Sequence, residues 1–220
     1  MPFRLEGPSQ LPRLGGKPTA LVIMLHGYGA SGDDLIGLAP YWANLIPKAE
    51  FIAPNGPYPC DMMPMGRQWF GAEDMNPSRA LAAMRGTAPF LDAFLDEALA
   101  ERGLDDSALA LVGFSQGTMM ALHVGLRRAK QLAGILGFSG ALLGGEALTD
   151  EIRSRPPVLL AHGDADPVLP FQALAAAQAG LAALGVPVET MTRPGLGHEI
   201  DEAEIQRGGA FLREILPQAI

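Results

Sequence analysis

The segment Gly113-Phe114-Ser115-Gln116-Gly117 has the form G-x-S-x-G. In a chain with 27 glycines such a pattern is a weak sign by itself. Its setting is the stronger sign. The apolar run ALALVG leads in and the helix-period run TMMALHVGLRRA leads out, the strand–turn–helix context in which a serine is raised on a sharp elbow. Glycines flank such a serine because side chains on the adjoining strand and helix would collide. The backbone N–H that follows the serine then lies at a helix N-terminus, where it favours a developing oxyanion. The chemistry implied is attack by the Ser115 hydroxyl on a carbonyl carbon. Ser139, in GFSGA, is the nearest competitor, but it lacks the second flanking glycine.

A serine nucleophile needs a general base, and the base needs a carboxylate to orient it. Of His26, His123, His162 and His198, the second falls inside the helical run after the serine and reads as packing. His26 and His162 each end a strand-like run as His-Gly and would line the sheet edge. Only His198 comes late enough for the chain order Ser, Asp or Glu, His. It sits in the glycine-bearing loop RPGLGH. The carboxylate is Asp164 or Asp166, both in HGDADPVLP just beyond the run PVLLAHG. Asp166 is favoured because Pro167 biases it towards an extended conformation, whereas Asp164 suits a turn cap. The residues alone leave both open. A second oxyanion donor belongs in a loop near the first parallel strand, and LHGYGASG (25–32) fits.

These loops require a frame. Six apolar runs read as strands: 20–27, 50–54, 108–113, 132–140, 157–163 and 187–194. Between them lie segments of helical period. Leu91, Phe94, Leu95, Ala98 and Leu99 share one face and stop at Gly103. Thr118 to Arg128, Phe171 to Leu184 and a final helix carrying Ile205, Gly208, Gly209, Leu212 and Leu216 follow. Residues 33–46 fit a helix with a break at Pro40. Alternating strands and helices predict an α/β fold, a doubly wound and mostly parallel sheet with helices on both faces. Residues 1–220 read as one domain. The segment 55–79, with four prolines and no period, is too apolar for disorder and reads as a functional loop.

The chain has 220 residues, 16 basic and 24 acidic, for a formal charge of −8. That balance argues against nucleic acid and against anionic membrane surfaces. One cysteine, Cys60, excludes an intrachain disulfide and a Cys-rich metal site. The N-terminus has no apolar core of a signal peptide, and no uncharged stretch reads as an integral membrane segment. A cytoplasmic location is expected.

LHGYGASGDDL, GFSQG, HGDADPVLP and GLGHE, in this order and spacing, resemble the small carboxylesterase/phospholipase family that includes the acyl-protein thioesterases. The resemblance spans nearly the whole chain. It implies the α/β-hydrolase fold, Ser115 as nucleophile and His198 as base, and it assigns the triad aspartate to Asp166 rather than Asp164. It also implies backbone oxyanion donors at Tyr28 and Gln116. Tyr28 stands where family members often carry an aliphatic residue, a change that a backbone donor tolerates. RQWF resembles the family's acyl-binding segment, so Met62, Met63, Met65, Trp69 and Phe70 are expected to form the substrate pocket.

The function expected is a serine carboxylesterase that hydrolyses carboxylic esters, thioesters or lysophospholipids with apolar acyl chains through an acyl-enzyme. No cofactor and no metal are expected. The partner is a small-molecule ester or acyl substrate, and a homodimer is one assembly compatible with the sequence. The alternatives are a peptidase or C–C hydrolase on the same fold, or a non-catalytic ligand-binding protein, which should have lost Ser115, His198 or Asp166. Fold alone would not separate these.

Overall fold

The computed structural model describes residues 4–75 and 77–217. Among the described residues, nine strands form in chain order: β1 Ser9–Gln10, β2 Ala20–Leu25, β3 Ala49–Ile52, β4 Tyr58–Pro59, β5 Arg67–Gln68, β6 Leu109–Phe114, β7 Gly134–Phe138, β8 Val158–Gly163 and β9 Val188–Arg193. Seven α-helices accompany them: α1 Gly32–Ile36, α2 Ala39–Trp42, α3 Pro77–Arg102, α4 Gln116–Gly125, α5 Gly145–Glu151, α6 Gln172–Ala183 and α7 Glu202–Ile215. The main sheet has the order β1-β3-β2-β6-β7-β8-β9. Its strands pair in parallel except β1, which runs antiparallel to β3 with Ser9 opposite Ile52.

Each strand feeds both faces, because successive side chains of a strand point to opposite sides. On β2, Leu21, Ile23 and Leu25 join Met84, Leu91 and Leu95 of α3 in one core. Val22 and Met24 join Leu35, Trp42, Phe211 and Leu212 of α1, α2 and α7 in the other. Such two-sided burial explains why the strands read as continuous apolar runs rather than alternating ones. Helix α4 is buried along its whole length.

The break foreseen at Pro40 separates α1 from α2, with Pro40 in the first turn of α2, where its missing N–H costs nothing. Gly103 ends α3 at φ 67°, and the Leu104 N–H closes back on the Leu99 carbonyl at 3.0 Å. The segment 55–79 is more ordered than its sequence suggests. A short antiparallel pair of two-residue strands, β4 with β5, and a 3₁₀ turn at Ala72–Met75 come first, and α3 begins at Pro77. Its helix runs through Pro89, which interrupts the period and hides the first three turns from a reading by pattern.

The chain passes from β2 outward to β3, then crosses to β6 on the other side of β2. In an open parallel sheet the crevice for a ligand forms at such a switch, beyond the carboxyl ends of the strands. The loop after β2 and the turn after β6 flank it.

Candidate active site

Ser115 lies between β6 and α4 with φ 53° and ψ −115°. A non-glycine residue there carries about 1–3 kcal/mol of backbone strain. Close packing maintains it. A Cβ on Gly113 would lie 2.4 Å from the Thr118 nitrogen, and one on Gly117 would lie 1.8 Å from the Leu25 carbonyl oxygen. Both flanking glycines are therefore required by contact with backbone, which cannot swing aside. The Ser115 N–H donates to Phe138 O at 2.9 Å and ties the elbow to β7.

His198 comes from the loop after β9. Its Nε2 is 3.0 Å from Ser115 Oγ, and its Nδ1 is 2.7 Å from Asp166 Oδ2. The ring rests against Phe114, with centroids 4.9 Å apart. Downstream, a capping box anchors the loop: Glu204 N–H donates to Asp201 Oδ1 at 2.9 Å, and Asp201 N–H donates to Glu204 Oε2 at 3.2 Å. Arg193 Nε also donates to Asp201, at 2.8 Å.

The Asp166 side chain has no exposed surface. Its Oδ1 accepts from the N–H groups of Val168 and Leu169 at 2.8 and 2.9 Å, which leaves Oδ2 for His198. Burial by itself would raise the Asp166 carboxyl. The hydrogen bonds from His198, Leu169 and Val168 outweigh burial and hold it below the ordinary carboxylate range. At neutral pH it is an anion facing the imidazole. Asp164 points elsewhere: its exposed carboxylate accepts from Gly195 N–H at 2.6 Å and pins the histidine loop. His162, fully buried beneath, has Nε2 at 3.2 Å from Leu169 O and 3.2 Å from Asp166 Oδ2.

The loop carrying Tyr28 turns at Gly29, φ 78°. Gly29 N–H donates to Arg67 O at 2.9 Å, and Arg67 N–H donates to Ala30 O at 2.8 Å, so the loop is laced to β5. The Tyr28 hydroxyl is hydrogen-bonded to Asp61. His26 fastens the base of this loop: Nδ1–H donates to Gly27 O at 2.7 Å, and Nε2 accepts from Gly56 N–H at 2.8 Å. Burial lowers its pKa, which keeps the ring neutral and able to accept from Gly56.

Gln116 opens α4, where first-turn amides have no acceptor within the helix. The role of its side chain was not foreseen from sequence. Oε1 accepts from Trp69 N–H at 2.8 Å, and Nε2 donates to Phe70 O at 2.8 Å. The elbow and the 55–79 segment are thereby joined. A glutamine after Ser115 gives no sign of this, because its partners lie 46 and 47 positions away in sequence.

The expected substrate pocket divides. Trp69 and Phe70 are 0% and 2% exposed, packed in the core with Met84 and Leu91. Both side chains are therefore closed off from solvent, unlike the methionines before them. Trp69 Nε1 donates to His26 O at 3.0 Å and supports the Tyr28 loop from below. Met62, Met63 and Met65 are exposed, and Met63 abuts Gly29, where an added Cβ would lie 3.0 Å from its Cγ. A separate apolar cleft of about 340 Å³ opens beside His198. Ala30, Leu35, Leu38, Phe114, His198 and Ile200 line it.

His123 is remote from these groups; burial lowers its pKa to about 4, so it is a neutral packing residue. Among the described residues, no group of three or more His, Cys, Asp and Glu is placed to hold a metal ion. No helix among them is long and apolar enough to cross a membrane.

A family model described as Phospholipase/Carboxylesterase matches residues 13–216. The chain belongs to the phospholipase/carboxylesterase family. It is an enzyme of the carboxylic ester hydrolase class with an α/β-hydrolase fold. The chain is 32% identical over 185 residues to acyl-protein thioesterase 1 of Schizosaccharomyces pombe, a match covering 80% of this chain and 81% of the relative. It is 27% identical over 198 residues to the esterase YpfH of Escherichia coli, covering 90% and 84%. Among solved structures, that of esterase PE8 superposes with a TM-score of 0.93 at 42% identity, covering 97% of this chain and 100% of that one.

Proposed function

We propose that the protein is a serine carboxylesterase in which Ser115, His198 and Asp166 form the catalytic triad and Tyr28 and Gln116 supply the oxyanion donors. The observation that carries this reading is the continuous hydrogen-bond line from Ser115 Oγ through both ring nitrogens of His198 to a buried carboxylate, with steps of 3.0 and 2.7 Å. His198 Nε2 takes the Oγ proton as Oγ attacks the carbonyl carbon of an ester or thioester. Asp166 holds Nδ1 protonated, so that Nε2 is the basic nitrogen, and steadies the imidazolium that forms. The backbone N–H groups of Tyr28 and Gln116 stabilise the oxyanion, a contribution of about 3–4 kcal/mol per donor in serine hydrolases. The carbonyl–heteroatom bond then breaks, and His198 returns the proton to the leaving alcohol or thiol. Water, activated by the same histidine, releases the acid from the acyl-enzyme.

The exposed Met62, Met63 and Met65 beside the Tyr28 loop suit an apolar acyl chain, because thioether side chains adapt to flexible alkyl groups. The family relatives named as acyl-protein thioesterases and esterases support the same class of substrate. One domain carries the whole site in this reading, and the single Cys60 fits a reducing, cytoplasmic compartment.

The test is Ser115→Ala with a fluorophosphonate probe on the parent. The variant should fold and lose turnover of short-chain 4-nitrophenyl esters, and the probe should map to Ser115. A folded variant with near-parent activity, or a label on Ser139, would overturn the assignment.

A further inference from the structure

The apolar cleft beside His198 has no part in the triad itself. Its position gives it one. The oxyanion loop separates two apolar regions: Gly29 abuts Met63 on one side, while Gly27 and Ala30 line the cleft on the other. Gly27 lines the cleft and abuts Ser115, so a carbonyl whose oxygen points at the Tyr28 and Gln116 amides can send one limb towards Met63 and the other into the cleft. The limb that departs has to receive its proton from His198 Nε2, so it lies on the side where His198 is part of the wall. That side is the cleft, where Phe114 lies beside the imidazole with ring centroids 4.9 Å apart.

We infer that the cleft receives the leaving-group limb of the substrate, and that it favours apolar limbs that are neutral or cationic over anionic ones. The inference rests on the esterase reading above. In the acylation step the Ser115 Oγ–carbon bond forms and the bond from carbon to the leaving oxygen or sulfur breaks. The Oγ proton travels through His198 to that departing atom, so charge and atoms balance without a further reactant.

The cleft's chemistry supports the selectivity. Leu35, Leu38 and Ile200 offer aliphatic surface, and about 340 Å³ is room enough for a branched alcohol limb. The charged residues lining it are Asp34 and Glu199, with no lysine or arginine among the lining residues. Asp34 is fixed in place by the Ser31 N–H and hydroxyl at 2.7 and 2.9 Å. Two carboxylates at one cleft repel an anionic limb and attract a cationic one. Leu38 and Glu199 are thus assigned as specificity-determining residues.

The test uses acetate esters, which share one acyl-enzyme and differ only in the limb that leaves. For the parent, kcat/KM for 3,3-dimethylbutyl acetate and for acetylcholine should each exceed that for 4-acetoxybutanoate by at least ~10-fold. Leu38→Trp and Ile200→Trp each fill the cleft with a larger side chain. Each should lower the ratio of 3,3-dimethylbutyl acetate to methyl acetate by ~10-fold or more, while the ratio of methyl hexanoate to methyl acetate stays within about twofold. Glu199→Gln should lower the ratio of acetylcholine to 3,3-dimethylbutyl acetate about threefold at low salt. If the tryptophan variants change the acyl ratio and spare the alcohol ratio, the cleft belongs to the acyl chain and the inference falls. Equal changes in both ratios would overturn it too. A parent that turns over no ester at all would instead remove the esterase reading, and this inference with it.

Discussion

Glu204 sits three residues into α7, 1% exposed, and closes the capping box behind the histidine loop. Its Oε2 accepts from Asp201 N–H, while its Oε1 is buried with no hydrogen-bond partner. Burial, together with the Asp201 and Glu199 carboxylates, outweighs the Asp201 hydrogen bond and Arg193, and pushes its pKa from 4.5 up to about 7. The folded state therefore favours the neutral acid. That stabilisation is complete below pH 4.5, the unfolded value, and drains away as pH rises to about 7. A shift of this size corresponds to about 3 kcal/mol. Glu204→Gln replaces the acid with a permanently neutral group whose carbonyl oxygen still accepts from Asp201. The stability gap, variant minus parent, should then widen in the variant's favour by about 2 kcal/mol between pH 5 and pH 8. The new amide N–H₂ in place of Oε1 adds an offset of about 1–3 kcal/mol if it finds no acceptor, but that offset does not change with pH. The slope is therefore the diagnostic. Urea denaturation across this range measures it, with an expected relative midpoint shift of about 1 M. A gap that stays constant from pH 5 to pH 8 would refute the claim that Glu204 is protonated near neutrality.

Asp166→Asn should lower kcat for 4-nitrophenyl acetate by around 10⁴, because the amide no longer selects the tautomer with a basic Nε2. Asp164→Asn keeps an oxygen for Gly195 N–H and should cost less than about tenfold; the reverse ranking would reassign the triad. Gln116→Leu strands the buried Trp69 N–H and Phe70 carbonyl, at about 1–3 kcal/mol each, so urea unfolding should show a loss near 3 kcal/mol. Gly117→Ala drives a Cβ to 1.8 Å from the Leu25 oxygen and should leave little folded protein, as read by circular dichroism, since backbone on both sides has nowhere to move.

The sequence by itself determined the frame and named the candidates for the site. Five buried strands, β2, β3, β6, β7 and β8, announced themselves as apolar runs, because a parallel sheet covered on both faces leaves no polar face to break the pattern. The G-x-S-x-G elbow was legible because its glycines answer to local crowding, and Pro40 because a missing N–H acts on its own helix. Ser115 and His198 were named through the order of motifs, although 83 positions separate them. Tertiary structure decided which oxygen faces which nitrogen. Nothing local distinguishes Asp164 from Asp166 as strongly as the hydrogen bonds do: one carboxylate turns out to Gly195, and the other is buried under two backbone amides and His198. It also buried Trp69 and Phe70 while leaving Met62, Met63 and Met65 exposed, and gave Gln116 a bracing role that its position did not suggest. These are contacts between crossover loops distant in sequence. Periodicity and propensity report on neighbours along the chain, whereas the loops at the sheet's carboxyl edge take their geometry from one another.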